Sequence, residues 1–228
     1  AAKIFYMFNG QFTVPITLRL IVGKGWGQGP THAQSLQSLF AHIPGLKVVM
    51  PSNPNDAKQI LIQSIEDPNP VIYIEHRWLH DQKGHVEKGF KSKKIGKANL
   101  LMKGNDITIV ANSFMTTEAV IAAKILKTNG IYADLIDLCS IQPLDEKAIL
   151  KSVKKTGKLL VLDSGHDFLS IASEIISVVT TKQFNYLKIS PKKITMPNFP
   201  IPTGYSLTKN FYPGYKDVLK YCKNIFNK

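Results

Sequence analysis

The sequence predicts an α/β protein in which helices cover both faces of largely parallel sheets. Three observations carry this. Apolar runs rich in β-branched residues alternate with amphipathic stretches along almost the whole chain. The runs are nearly continuous in apolar content, as strands covered on both faces are. The stretches between them are of helical period, so strand and helix follow one another as right-handed crossovers require.

In the first part, residues 16–22, 47–50 and 71–75 read as strands, with helices over 33–42 and 54–64. Asn53-Pro54 places a capping residue before a proline at the first helical position. Thr31-His32-Ala33-Gln34 fits a capping box, Thr31 capping and Gln34 reaching back. In the second part, 107–111, 133–138 and 159–163 read as strands, with helices over 116–128, 145–155 and 171–180. Ser113 is placed to cap the first of these helices, and Asn129-Gly130 ends it with a residue suited to positive φ. Residues 76–97 break the pattern: they are polar and basic, with glycine-marked turns and no apolar period. They read as a connection, which gives a first domain over 1–95 and a second over 96–228.

A chain of 228 residues holds one large or two modest domains. No apolar run reaches the length of a membrane span; the stretch over 16–22 is short and contains Arg19. No basic-then-apolar secretion signal is read over residues 1–7. Cys139 and Cys222 sit in unlike contexts, so they form no disulfide framework and point to a reducing compartment. No Cys/His pair has zinc-ligand spacing. The formal charge is +13, but residues 1–95 hold 11 Lys/Arg against 6 Asp/Glu and residues 96–228 hold 18 against 10, so the excess is spread out. The densest spots, 88–97 and 151–158, do not interleave with aromatics as a stacking platform does. Solvated lysine faces are therefore expected, with no nucleic-acid and no membrane partner; a basic surface also suits an acidic protein.

The most unusual segment runs from Gly23 to His32, between a strand and a helix, with glycine at 23, 25, 27 and 29. Alternate glycines let a backbone approach a ligand closely. The spacing is not that of a dinucleotide loop, and no ribose-binding acid follows the next strand. His32 stands at the expected first helical position, where the helix dipole disfavours imidazolium. A neutral histidine there can exchange a proton at neutral pH, or can simply pack at the helix start. Glu75-His76 ends a strand where ligands gather in α/β sheets, and either lines a site or pairs with Arg77. His80 and His85 read as connector surface, His42 as packed at a helix end, Trp26 as a channel wall or an apolar plug, and 163–166 as a loop contact to a partner.

The stretches Gly25-Trp26-Gly27-Gln28-Gly29-Pro30-Thr31-His32-Ala33-Gln34-Ser35, Pro44-Gly45-Leu46-Lys47-Val48-Val49 and Asp67-Pro68-Asn69-Pro70-Val71 resemble the signature of the transketolase superfamily, nearest to beta subunits of thiamine-dependent 2-oxo acid dehydrogenases. Ile141-Gln142-Pro143-Leu144-Asp145 and Ala172-Ser173-Glu174-Ile175 resemble motifs of that family's C-terminal domain. The resemblance implies two Rossmann-like three-layer α/β/α domains, the first incomplete, the second of the transketolase C-terminal type. It implies oxidative decarboxylation of a 2-oxo acid, pyruvate foremost, with acyl transfer to a lipoyl carrier. Thiamine diphosphate would be shared with an alpha subunit that also holds its magnesium ion. The implied partners are that alpha subunit, a second beta subunit in an alpha2beta2 assembly, and a lipoylated acyltransferase, in the cytoplasm or an organelle matrix. His32 would be the active-site histidine. A potassium ion would lie at Ile16, Ser64, Ile65, Asp67 and Asn69, chiefly on carbonyl oxygens; Asp67 to Pro70 is equally sensible as a plain turn.

The sequence departs from the family's pattern at three places. Its first residues resemble the interior of the family's first domain, so the glutamate that protonates the aminopyrimidine, and the aromatic that stacks on it, have no counterpart here, and no cofactor-binding residue is assigned. Unpaired strand edges and apolar faces are expected in the first domain. Cys139 stands where relatives carry arginine, and Ser170 where they carry glycine. The competing reading is a catalytically incomplete assembly or interaction module on the same scaffold.

Overall fold

The computed structural model describes residues 1–23, 28–209 and 211–227. Nine strands and eight helices follow in the order α1 (Ile4–Met7), β1 (Thr17–Val22), α2 (Gln37–Ala41), β2 (Lys47–Val49), α3 (Pro54–Glu66), β3 (Val71–His76), β4 (Asn99–Met102), β5 (Ile107–Ala111), α4 (Ser113–Thr128), β6 (Ala133–Asp137), β7 (Ser140–Gln142), α5 (Glu146–Thr156), β8 (Leu159–His166), α6 (Ile171–Gln183), β9 (Lys192–Met196), α7 (Tyr205–Thr208) and α8 (Tyr215–Phe226) among the described residues.

They form two α/β sheets, both parallel-dominated. The first has the order β1-β3-β2-β7 and the second β4-β6-β5-β8-β9. β7 and β4, each at a sheet edge, are the antiparallel members. The alternation of side chains along β3 explains how the first sheet is covered. Val71 and Tyr73 face α3, where the Tyr73 hydroxyl donates to the Ala57 carbonyl at 2.8 Å. Ile72 and Ile74 face the other way, into a cluster that also holds Val110, Leu138, Ile149 and Ile175. One apolar core therefore runs from the first sheet into the helices and strands of the second. A separate cluster on the far face of the second sheet packs α4 and α8 against β5, β6 and β8.

The helix ends follow local chemistry. Asn53 caps α3, its side chain accepting the Asp56 N–H at 2.9 Å, with proline at the first position. Asp145 caps α5, which ends at Gly157 with φ +71°. Gly130, at φ +70°, turns the chain out of α4. Two expected caps are not formed. α4 begins at Ser113 itself, behind Asn112, and no side chain caps it. The expected 33–42 helix is only Gln37–Ala41, because residues 31–36 form a turn and an irregular stretch that packs on the second half of the chain. Gln34 bonds the Thr31 carbonyl instead of closing a capping box. β1 lies at a sheet edge and leaves Leu18 and Ile21 exposed, as expected of unpaired edges in this domain.

Candidate functional site

The segment after β1 leaves the carboxyl end of the first sheet and crosses to the second half of the chain. Trp26, with Lys24, Gly25 and Gly27, lies outside the described residues. His32 is exposed, within the turn over residues 31–33. Since α2 begins at Gln37, His32 is not at a helix N-terminus, and the dipole argument for its protonation state does not apply. The two described glycines of the loop make room for the protein's own side chains. A Cβ on Gly23, at φ +86°, would meet the His76 ring at 2.6 Å, and one on Gly29 would meet Thr203 Oγ1 at 2.2 Å. Gln28 Oε1 and Ser35 Oγ, on either side of His32, are shielded from solvent and have no hydrogen-bond partner. Orphaned polar atoms flanking an exposed histidine suit a site completed by a polar ligand.

Glu75 pairs with Arg19 on the neighbouring strand rather than with Arg77: Arg19 Nη2 donates to Oε1 at 3.1 Å, and Nε to Oε2. With His80 and Asn53 they line a cavity of about 390 Å³ between the sheet and the start of α3. His76 is buried, its ring stacked on Phe114 with centroids 5.0 Å apart. Burial, with the charges of His80 and Arg77, pushes its pKa down to about 3, so it is neutral across the physiological range. His80 and His85 are exposed on the connector, as expected; His42 caps the end of α2 but is exposed rather than packed.

Asp163 is not a contact for a partner. It is fully buried, and its carboxylate accepts the N–H groups of Gly165 and Ile171, both at 3.0 Å, and the Gln37 side-chain amide at 2.8 Å. His166 Nδ1 lies 2.8 Å from the Pro197 carbonyl. Ser170 caps α6, accepting the Ser173 N–H at 3.2 Å.

Ile16, Ser64, Ile65, Asp67 and Asn69 meet at one corner of the first sheet. The Ile16 carbonyl accepts the Val71 N–H at 2.9 Å, and the Ser64 carbonyl accepts the Thr17 hydroxyl at 2.8 Å. Asp67 Oδ1 accepts the Asn69 N–H at 3.0 Å, and the Lys47 ammonium donates to the same atom at 2.6 Å. Each carbonyl keeps a second lone pair, so a hard monovalent cation fits the donor set. Lys47 already supplies one positive charge there.

A second polar cluster was not legible in the sequence. Lys93, from the connector, donates to Asp56 Oδ1 at 3.0 Å, to Asn99 Oδ1 at 2.7 Å and to Cys139 Sγ at 3.3 Å. Burial pushes the Asp56 carboxyl up, but the Lys93 ammonium and the bonds from Lys93, Asn53 and Cys139 outweigh it and hold the pKa below the usual value. Burial keeps the neighbouring Asp137 carboxyl raised despite bonds from Ser52, Cys139 and Thr116. Burial and the charge of Asp137 push the Cys139 thiol well up, so it stays a thiol. Asp56, Asp137 and Cys139 place ligand atoms within 4.8 Å of one another, but the ammonium of Lys93 already sits among them.

Two parallel-dominated α/β halves sharing a core, with a glycine-rich, histidine-bearing segment leaving the first sheet and docking on the second half, define a transketolase-type domain pair. The family model of the transketolase pyrimidine binding domain matches residues 1–82, and that of the transketolase C-terminal domain matches residues 96–218. The chain is 41% identical over 93% of its length to the acetoin:2,6-dichlorophenolindophenol oxidoreductase subunit beta of Bacillus subtilis (strain 168), of which it covers 62%. It is 39% identical to the pyruvate dehydrogenase E1 component subunit beta of Acholeplasma laidlawii and 35% identical to that of Rickettsia bellii (strain RML369-C), over 99% of this chain and 69% of each relative. The chain thus belongs to the transketolase family, in the group that holds these beta subunits, and spans less than two thirds of the acetoin oxidoreductase subunit. A solved structure described as a split gene transketolase, inactive beta4 tetramer, superposes with a TM-score of 0.76 at 21% identity, over 97% of this chain and 71% of that one, which shows the shared fold.

Proposed function

We propose that the chain works as the His32-bearing part of a beta subunit of a thiamine diphosphate-dependent 2-oxo acid dehydrogenase, organised as a first domain over 1–95 and a second over 96–228. The observation that carries this is the 33–39% identity to pyruvate dehydrogenase E1 component beta subunits over nearly the whole chain. Thiamine diphosphate supplies the stabilised carbanion that decarboxylation needs. This chain's part is to present His32 at an exposed turn, where its ring can hold or deliver a proton to the reacting group. Gln28 Oε1 and Ser35 Oγ are the described atoms that such a ligand would satisfy. The alpha subunit would complete the site and hold the magnesium ion, in an alpha2beta2 assembly that hands an acyl group to a lipoylated acyltransferase. Pyruvate is the proposed substrate. Acetoin is its competitor, since acetoin oxidoreductase subunits are among the relatives.

In the assembled, cofactor-loaded complex, His32→Ala should lower turnover about 100-fold or more with either substrate, leaving cofactor affinity within about threefold. Equal loss of both would make His32 a structural residue, unchanged turnover would remove it from the chemistry, and a complex without turnover even in the parent would favour the interaction-module reading.

The proposal includes a potassium ion on the carbonyl oxygens at Ile16, Ser64 and Ile65, with Asp67 and Asn69. Exchanging potassium for choline at constant ionic strength should lower the melting temperature by a few degrees, roughly the effect of 1 kcal/mol or more of linked binding. Asp67→Asn should abolish the difference. A melting temperature indifferent to the cation would remove the ion from the account.

A further inference from the structure

Among the described residues, the segment that carries His32 meets the second half of the chain at three points. Gly29 lies against Thr203. Ala33 is fully buried in a cluster with Met196, Ile201 and Phe211. Gln37, the first residue of α2, is fully buried and its Nε2 donates to Asp163 Oδ1 at 2.8 Å.

The third contact is a built one. Asp163 lies within the buried run of β8, and backbone N–H groups of Gly165 and Ile171 fix its carboxylate. Asn112, beyond β5, adds its side-chain amide at 3.4 Å to the same oxygen that Gln37 uses. Gly165 leaves the space in which the Gln37 amide sits, since a Cβ there would come within 2.9 Å of Gln37 Nε2. Because both amides turn their NH2 groups to the carboxylate, Gln37 Oε1 and Asn112 Oδ1 are left buried and without a partner. A flipped amide would set its oxygen against the carboxylate, so the orientation is fixed.

An arrangement that orphans two buried oxygens is a poor way to gain stability, and apolar side chains of the same volume would pack as well. What the polar contact adds is direction: a donor, an acceptor and a fixed distance between the two halves. We infer that Gln37 is a positioning residue, through which Asp163 of the second half sets the place of the His32 segment. The catalytic consequence rests on the proposed role of His32, but the tether itself does not.

The test is amide hydrogen exchange of residues 28–41 in the purified protein. Gln37→Glu sets a carboxylate against Asp163 and should speed exchange there about tenfold or more, with β5 and α4 unchanged. Gln37→Met keeps about the same side-chain volume and removes the amide, and should speed exchange there by a similar factor. Unchanged exchange in Gln37→Glu would overturn the inference. So would parent-like exchange in Gln37→Met, since Gln37 would then be a packing residue. In the assembled complex, both variants should lower kcat more than they raise KM. Faster exchange with undiminished turnover would keep the tether and overturn the catalytic reading of His32.

Discussion

At the scale of single residues, His76 shows how packing fixes a protonation state. Its Nδ1 accepts the Trp78 N–H at 3.3 Å, which a protonated ring cannot do, and Gly23 closes over the ring with no room for a Cβ. The folded pKa of about 3 lies below the ordinary value near 6.5. Below pH ~6.5 the unfolded chain takes up a proton that the folded chain refuses. The histidine's contribution is therefore whole above that pH and is lost as pH falls toward the folded value, by about 1.4 kcal/mol per pH unit. Between pH 7 and pH 5 the loss amounts to about 2 kcal/mol. His76→Asn keeps an acceptor near Nδ1 and does not titrate. It should lower stability at pH 7, through the lost ring, yet flatten the fall toward pH 5. Denaturant unfolding at both pH values decides it, and a parent-like slope in the variant would show that other groups carry the acid sensitivity.

At the scale of elements, what the sequence showed depended on how much of a strand or helix was buried. β2, β3, β5, β6 and β8 are covered and carry mostly apolar residues over the stretches read as strands, and were legible to within a residue or two, save that β8 runs on to His166. β4, β7 and β9 were not: all three lie at sheet edges, and unlike the edge strand β1, whose Leu18, Leu20, Ile21 and Val22 make an apolar run, a three-residue strand or one beginning Lys192-Lys193 carries little pattern. The α2 region misled for a related reason. Its apolar residues recur at helical spacing, but Ala33 is buried by Met196, Ile201 and Phe211, a tertiary contact that substitutes for a helical turn. Gln37 gave one faint signal, a polar side chain at a position that helical spacing would bury. The partner that explains it is 126 residues away. The basic spot over 151–158, which holds no interleaved aromatics in sequence, meets two from elsewhere: Lys154 lies over Tyr186 at 5.1 Å and Lys158 over Phe226 at 4.7 Å.

At the scale of the whole molecule, the two sheets are not independent. Val48, Met50, Ile72 and Ile74 of the first share one cluster with Val110, Leu138, Ile149 and Ile175 of the second, and β7 leaves the second half to pair with β2. Lys93 adds a polar tie at the same seam: one ammonium holds Asp56 of α3, Asn99 of β4 and Cys139 beyond β6. A shared core and a buried tie should make the two halves unfold together, as a single transition in calorimetry with equal calorimetric and van't Hoff enthalpies. Lys93→Met removes the ammonium and leaves Asp56 buried without its cation. The expected loss is about 2–3 kcal/mol, or roughly 6 °C in a chain of this size, with the transition still single. Arg19→Gln, which breaks an ion pair on a largely exposed arginine, should cost less than about 1 kcal/mol. Two resolved transitions in the parent would mean that the seam is too weak to couple the halves. A split appearing only in Lys93→Met would instead assign the coupling to this ammonium rather than to the apolar core beside it.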